Sequence, residues 1–219
     1  MARGLFRREA QYDRRKLLAS AAKARKKGRA KRAIEYYRRV LEAEPHDTEV
    51  HRKVAPLLAR VGQHQAALDS FSQAMQGLLR GGFDEHALGV CMEAAGIYPQ
   101  KVELWEAIAG LRMKAAKASD AVSALLEGRR HLRRRKHLPG AIRLLARAHV
   151  IEPQNPTVGI DLSRLLKRSG ERAKARAVLA GLDARPGSRG LRRIRFARFR
   201  SEPSLDSALL WLRALLANR

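Results

Sequence analysis

The chain has 219 residues, of which 45% are hydrophobic, enough for a continuous core. No apolar run exceeds a handful of residues, Leu209-Leu210-Trp211-Leu212 being typical, so a membrane-spanning helix is excluded. A single cysteine, Cys91, rules out an internal disulfide and points to a reducing cytoplasm, while a formal net charge of +25 points to polyanionic or acidic counterparts.

Residues 1–13 read as a basic N-terminal segment, and Arg7-Arg8 has no apolar region behind it, so no secretory or twin-arginine signal is expected. From there the spacing of apolar residues predicts helices over 12–27, 30–44, 48–61, 64–80, 84–97, 101–116, 119–135, 138–151, 156–169 and 172–183. Thr48 and Asp84 are predicted N-caps. His46-Asp47 and Gln154-Asn155-Pro156 read as turns between helices.

These helices repeat in register at an offset of 54 residues. Ala33, Ala87 and Ala141 keep it, as do Pro45, Pro99 and Pro153, and Ala67, Ala121 and Ala175. So do the apolar sets Ile34/Leu88/Ile142, Val50/Leu104/Val158, Val54/Ile108/Leu162, Leu57/Leu111/Leu165 and Leu17/Phe71/Leu125. Each unit therefore buries the same face, and three helices fill each period.

Turn positions fall at Gly28, Gly62, Gly82, Ala116, Lys136 and Gly170, in alternating steps of 34 and 20 residues. Gly28 is followed by Ala33, Tyr37 and Pro45, and Gly62 by Ala67, Phe71 and Ala74. Gly accepts the left-handed conformation past a helix end, a small residue allows a close crossing, and Pro cannot continue a helix. Over roughly 14–183 this pattern resembles the tetratricopeptide repeat. The resemblance implies an all-α, α-solenoid arrangement of about 10–12 antiparallel helices, with 184–219 a basic Arg-rich segment and an apolar capping helix. Lys136 stands where Gly is expected, Leu17 and His51 where Trp is, and Cys91 and Leu145 where an aromatic is. Some members of the family clamp a peptide carboxylate with Lys and Asn, but Asn occurs here only at 155 and 218, which speaks against that mode.

Charge is unevenly spread: residues 1–32 carry +11, residues 33–128 carry −3 and residues 129–219 carry +17. If successive helices run antiparallel, the turns at 28 and 136 share an edge. That edge collects Arg25, Lys26, Lys27 and Arg29, then Arg133, Arg134, Arg135 and Lys136, then Lys167, Arg168 and Arg172. The other edge collects Glu42, Glu44, Asp47, Glu49, Asp84 and Glu85. Cations at helix C-termini complement the macrodipole, but that effect fades within a turn, so a cluster as dense as Arg129–Lys136 asks for a further reason.

Residues Arg189–Arg200 hold six arginines with Phe196 and Phe199 interleaved, and no single period sorts them into faces. Arg192, Arg193, Arg195 and Arg198 either grip phosphates beside stacking rings, or snorkel from a helix that packs Leu191, Ile194, Phe196 and Phe199 inward. Ser204 is the predicted N-cap of a last helix with leucines around most of its circumference. That helix either tucks between its neighbours or presents Leu209, Trp211 and Leu212 to a partner or a second copy.

The histidines include no His-Glu-x-x-His, no Cys/His cluster has metal spacing, and neither a phosphate-binding Gly-rich loop nor a nucleophile elbow is present, so no metal, cofactor or catalysis is expected. Cys91 falls at a core position and reads as a small buried hydrophobe. The expected function is a non-catalytic scaffold for protein–protein interaction, with an acidic partner or within a larger assembly. The alternative is nucleic-acid or ribonucleoprotein binding through the basic edge and the Arg/Phe segment.

Overall fold

Asp13 and Asp47 each begin a helix by turning a carboxylate back onto the backbone, accepting from the N–H groups of Lys16 at 2.9 Å and Val50 at 3.0 Å. In the computed structural model, which describes residues 12–182, 189–201 and 203–216, twelve α-helices and one 3-10 turn account for the regular structure. No strand occurs among the described residues, and no helix there is long and apolar enough to cross a membrane.

The chain divides into two compact units, Met1–Ile97 and Tyr98–Arg219. The first contains α1 (Arg14–Lys26), α2 (Ala30–Ala43), α3 (Thr48–Arg60), α4 (His64–Arg80) and α5 (Asp84–Ile97), each packed on the next as a hairpin. Its core is a row of small and branched residues, with Ala33, Ala67 and Ala87 fully buried where helices cross. Asp47, not Thr48, is the N-cap of α3, and Asp84 lies inside the first turn of α5 instead of capping it. Both shifts suit the dipole, since a carboxylate in the first turn faces the exposed N–H groups either way.

The second unit contains α6 (Val102–Lys114), α7 (Ala118–His131), α8 (Leu138–Ile151), α9 (Pro156–Arg168), α10 (Arg172–Ala180), α11 (Arg189–Ser201) and α12 (Leu205–Leu216). Its main core runs through Val122, Leu125, Leu144, Leu145, Leu162 and Leu165, with Ala121, Ala141 and Ala175 at the close crossings. Helix α7 stops four residues before the predicted end. The Leu132 N–H closes a tight bond to the Arg129 carbonyl at 3.1 Å, Leu132 turns into the core, and a 3-10 turn over Arg135–His137 leads into α8. Lys136 therefore does not occupy a left-handed position, whereas Gly28, Gly62, Gly82, Ala116 and Gly170 all do.

The segment 189–200, which no sequence period sorted, is helical throughout. Ile194 is buried with Leu179 and Leu182, and the rings of Phe196 and Phe199 lie 5.3 and 5.9 Å from that of Trp211 on α12. Ser204 caps α12 by accepting from the Ser207 N–H at 3.1 Å. Helix α12 does not tuck between neighbours: Leu205, Leu209, Leu210, Leu212, Leu215 and Leu216 are all exposed, while Trp211 is taken up by the two Phe rings.

Candidate functional site

Helices α9 and α11 lie side by side in the same direction. Near their N-termini Arg193 reaches Thr157 Oγ1 at 3.4 Å, and near their C-termini Lys167 Nζ donates to the Arg200 carbonyl at 3.0 Å. Between them runs a groove of about 420 Å³. One wall is a single face of α9, with Ile160, Ser163, Arg164, Lys167 and Arg168; the other is the matching face of α11, with Arg193, Phe196, Ala197, Arg200 and Ser201. Both walls follow the i, i+3, i+4, i+7 spacing that puts residues on one side of a helix. Five cations line the groove and, among the described residues, no carboxylate does.

The cations have few competing partners. Arg164 reaches Asp161 at 3.5 Å, but Asp161 is already held by Arg129, whose Nε lies 2.8 Å from Oδ2 and whose Nη2 donates to Oδ1 at 3.0 Å. Arg200 sits over the Phe196 ring, 5.9 Å from its centroid. Arg168 also lines a second cleft of about 200 Å³ with Arg129, Arg133 and Arg134, so the groove continues toward the α7–α8 connection. A third cleft of about 420 Å³ joins Lys167 and Ser201 to Arg172 and Arg176.

Of the predicted site residues, Arg133, Arg134, Lys167, Arg168, Arg172 and Arg193 are thus brought into one set of adjoining clefts. Arg135 and Lys136 are exposed on the 3-10 turn outside them, and Arg192 lies on α11 away from the groove lining. Arg195 donates to the Leu210 carbonyl at 2.9 Å, tying α11 to α12. Arg198 is structural: its Nε and Nη2 donate to the Leu179 carbonyl at 3.0 and 2.7 Å, and Nη2 also reaches the carbonyls of Ala180 and Leu182. It caps the end of α10, where orphan carbonyls and the dipole both favour a guanidinium. Arg25, Lys26, Lys27 and Arg29 are exposed around the α1–α2 turn of the first unit. Sequence reasoning missed Arg164, Ile160 and Ser163. Their one-face spacing with Lys167 was readable, but the pairing of α9 with α11 was not.

Elsewhere chemistry is muted. Cys91 is buried, its thiol donating to Met75 Sδ at 3.2 Å, and burial pushes it up to about 11, which suppresses the thiolate. In the first unit Arg14 bridges Glu44 and Asp47 at 3.1 and 2.5 Å, and the Tyr12 hydroxyl donates to Glu44 at 2.6 Å, which raises the phenol to about 12.

Helical hairpins with buried alanine crossings and left-handed residues at the helix ends define an all-α helical repeat protein. Residues 132–188 match the sequence model described as tetratricopeptide repeat. Residues 4–86 match the model of a bacterial transcriptional activator domain. Among solved structures, a MamA protein is similar at 16% identity, covering 93% of this chain and 91% of that one, with a TM-score of 0.29. A Parabacteroides merdae tetratricopeptide repeat protein shares 14% identity over 94% and 93% of the two chains, with a TM-score of 0.32. A Podospora anserina putative kinesin light chain with nearly identical TPR-like repeats shares 14% identity over 93% of each chain, with a TM-score of 0.40. No curated protein matches the chain.

Proposed function

We propose that the chain is a non-catalytic adaptor, working in a reducing compartment, whose second unit binds an acidic segment of a partner protein along the α9–α11 groove. The observation that carries this reading is the composition of the groove among the described residues: five basic side chains on its walls, no carboxylate, and Ile160, Phe196 and Ala197 as an apolar strip between them. A segment with carboxylates flanking apolar side chains complements both features, whereas a bare phosphate backbone uses only the cations. The second reading, nucleic-acid binding, draws on the half-exposed Phe196 ring beside Arg200, a pair that suits base stacking. The likeness of residues 4–86 to a transcriptional activator domain adds to it.

The test is fluorescence anisotropy with three labelled probes of equal charge: a peptide alternating Glu and Leu, polyglutamate, and a single-stranded oligonucleotide. The adaptor reading expects the Glu/Leu peptide to bind about tenfold tighter than polyglutamate, a difference of about 1.4 kcal/mol. Tightest binding to the oligonucleotide, with a log–log salt slope of about −0.7 per phosphate contacted, would replace the adaptor reading with the second one.

A further inference from the structure

Helix α12 turns one face to α11, and among the described residues nothing packs on the other. Ala214, buried to 2% exposure, and Trp211 face inward. On the opposite side Leu205, Leu209, Leu212 and Leu216 form a stripe, 85%, 53%, 46% and 68% exposed. Their spacing of four, three and four residues matches the a/d seam of a coiled coil, with Leu210 and Leu215, also exposed, flanking it.

We propose that this stripe pairs with the same stripe of a second copy, the two α12 helices running antiparallel about a two-fold axis. Charge on the helix selects both the occupant and the direction. The helix carries one acidic residue, Asp206, and one basic residue, Arg213, seven apart on the same flank of the stripe. In an antiparallel pair equivalent flanks meet, so Asp206 of each copy faces Arg213 of the other and two opposite-charge contacts form. In a parallel pair, opposite flanks meet and each charge faces Ala208 or Leu215. This face is neutral overall on a chain of net charge +25, so it lacks the cationic surplus that recruits an acidic partner and is self-complementary instead. The pairing is independent of the groove reading.

Sedimentation equilibrium on the full chain tests it. The wild type is expected to dimerise, and Leu209→Glu with Leu212→Glu to be monomeric with unchanged helical circular dichroism. Asp206→Lys and Arg213→Glu, each alone, place like charges twice across the seam and are expected to weaken the dimer about tenfold. Mixing these two variants restores both contacts and is expected to return wild-type affinity in the heterodimer, a recovery that misfolding of either chain would not give. A monomeric wild type, a dimer indifferent to the leucine substitutions, or the absence of recovery on mixing would each overturn the proposal.

Discussion

The Trp105 indole Nε1–H donates to the Pro99 carbonyl at 2.9 Å, closing the turn that leads into α6. One repeat earlier His51 Nε2 lies 2.8 Å from the Pro45 carbonyl, and because a carbonyl only accepts, the ring carries its proton on Nε2. One repeat later the corresponding position is Gly159, and Leu182 lies against it, its Cδ1 only 2.8 Å from where a Cβ would stand. The same turn is thus closed by an indole in one repeat and by an imidazole in another, while in the third the ring position is a glycine.

Trp105 makes Gly128 obligatory. An added Cβ there would stand 2.4 Å from the indole Cγ, a rigid atom on a ring stacked against His131. Gly128→Ala is expected to destabilise by about 1–3 kcal/mol despite the better helix propensity of alanine. Gly89→Ala, at a helical site with nothing within 4 Å, is expected to stabilise by up to about 1 kcal/mol. Urea titrations of the two variants read the opposite signs.

Ala116 ends α6 with φ of +58°, the one non-glycine among the described residues at positive φ. Left-handed backbone costs a Cβ-bearing residue about 1–2 kcal/mol, and glycine returns part of that gain through unfolded-state entropy. Ala116→Gly is therefore expected to raise stability by up to about 1 kcal/mol, seen as a higher denaturation midpoint.

Asp47 couples the first unit to pH. Burial opposes its ionisation, but hydrogen bonds from Arg14 and from the N–H groups of Val50 and Glu49 outweigh it and hold the carboxyl below its ordinary value. A carboxylate depressed on folding contributes stability that is fully present above the unfolded value, about 3.9, and is lost as pH falls through the folded value. Asp47→Ala is expected to cost about 1–2 kcal/mol at neutral pH. Asp47→Asn keeps a good cap but loses the ion pair, so its denaturation midpoint should vary less with pH below about 4 than that of the wild type.

The repeat was legible because each helix crossing needs a small residue and each turn a left-handed one, and both leave periodic marks in the chain. Helix ends set by one inward side chain, such as Leu132, leave no such mark. The Trp105 turn was within reach: His51 plus one period falls on it, but the ring chemistry differs and the shared acceptor is a backbone carbonyl, which sequence does not label. The candidate site was half legible. Clustering singled out Arg168 and Arg193, but whether an arginine meets solvent or, like Arg198, the carbonyls at a helix end depends on which helices become neighbours.

The groove account is tested most directly by separating location from net charge. Arg164, Arg168 and Arg193 line the groove, whereas Lys26, Lys27 and Arg29 are equally basic and lie at the α1–α2 turn of the other unit. Affinity for the labelled Glu/Leu peptide is measured for two triple-alanine variants, one for each set. The account predicts a loss of at least about tenfold from the groove triple and a loss of less than about threefold from the other, with both folds intact. Equal losses would show that binding follows overall charge and that the groove is not the site.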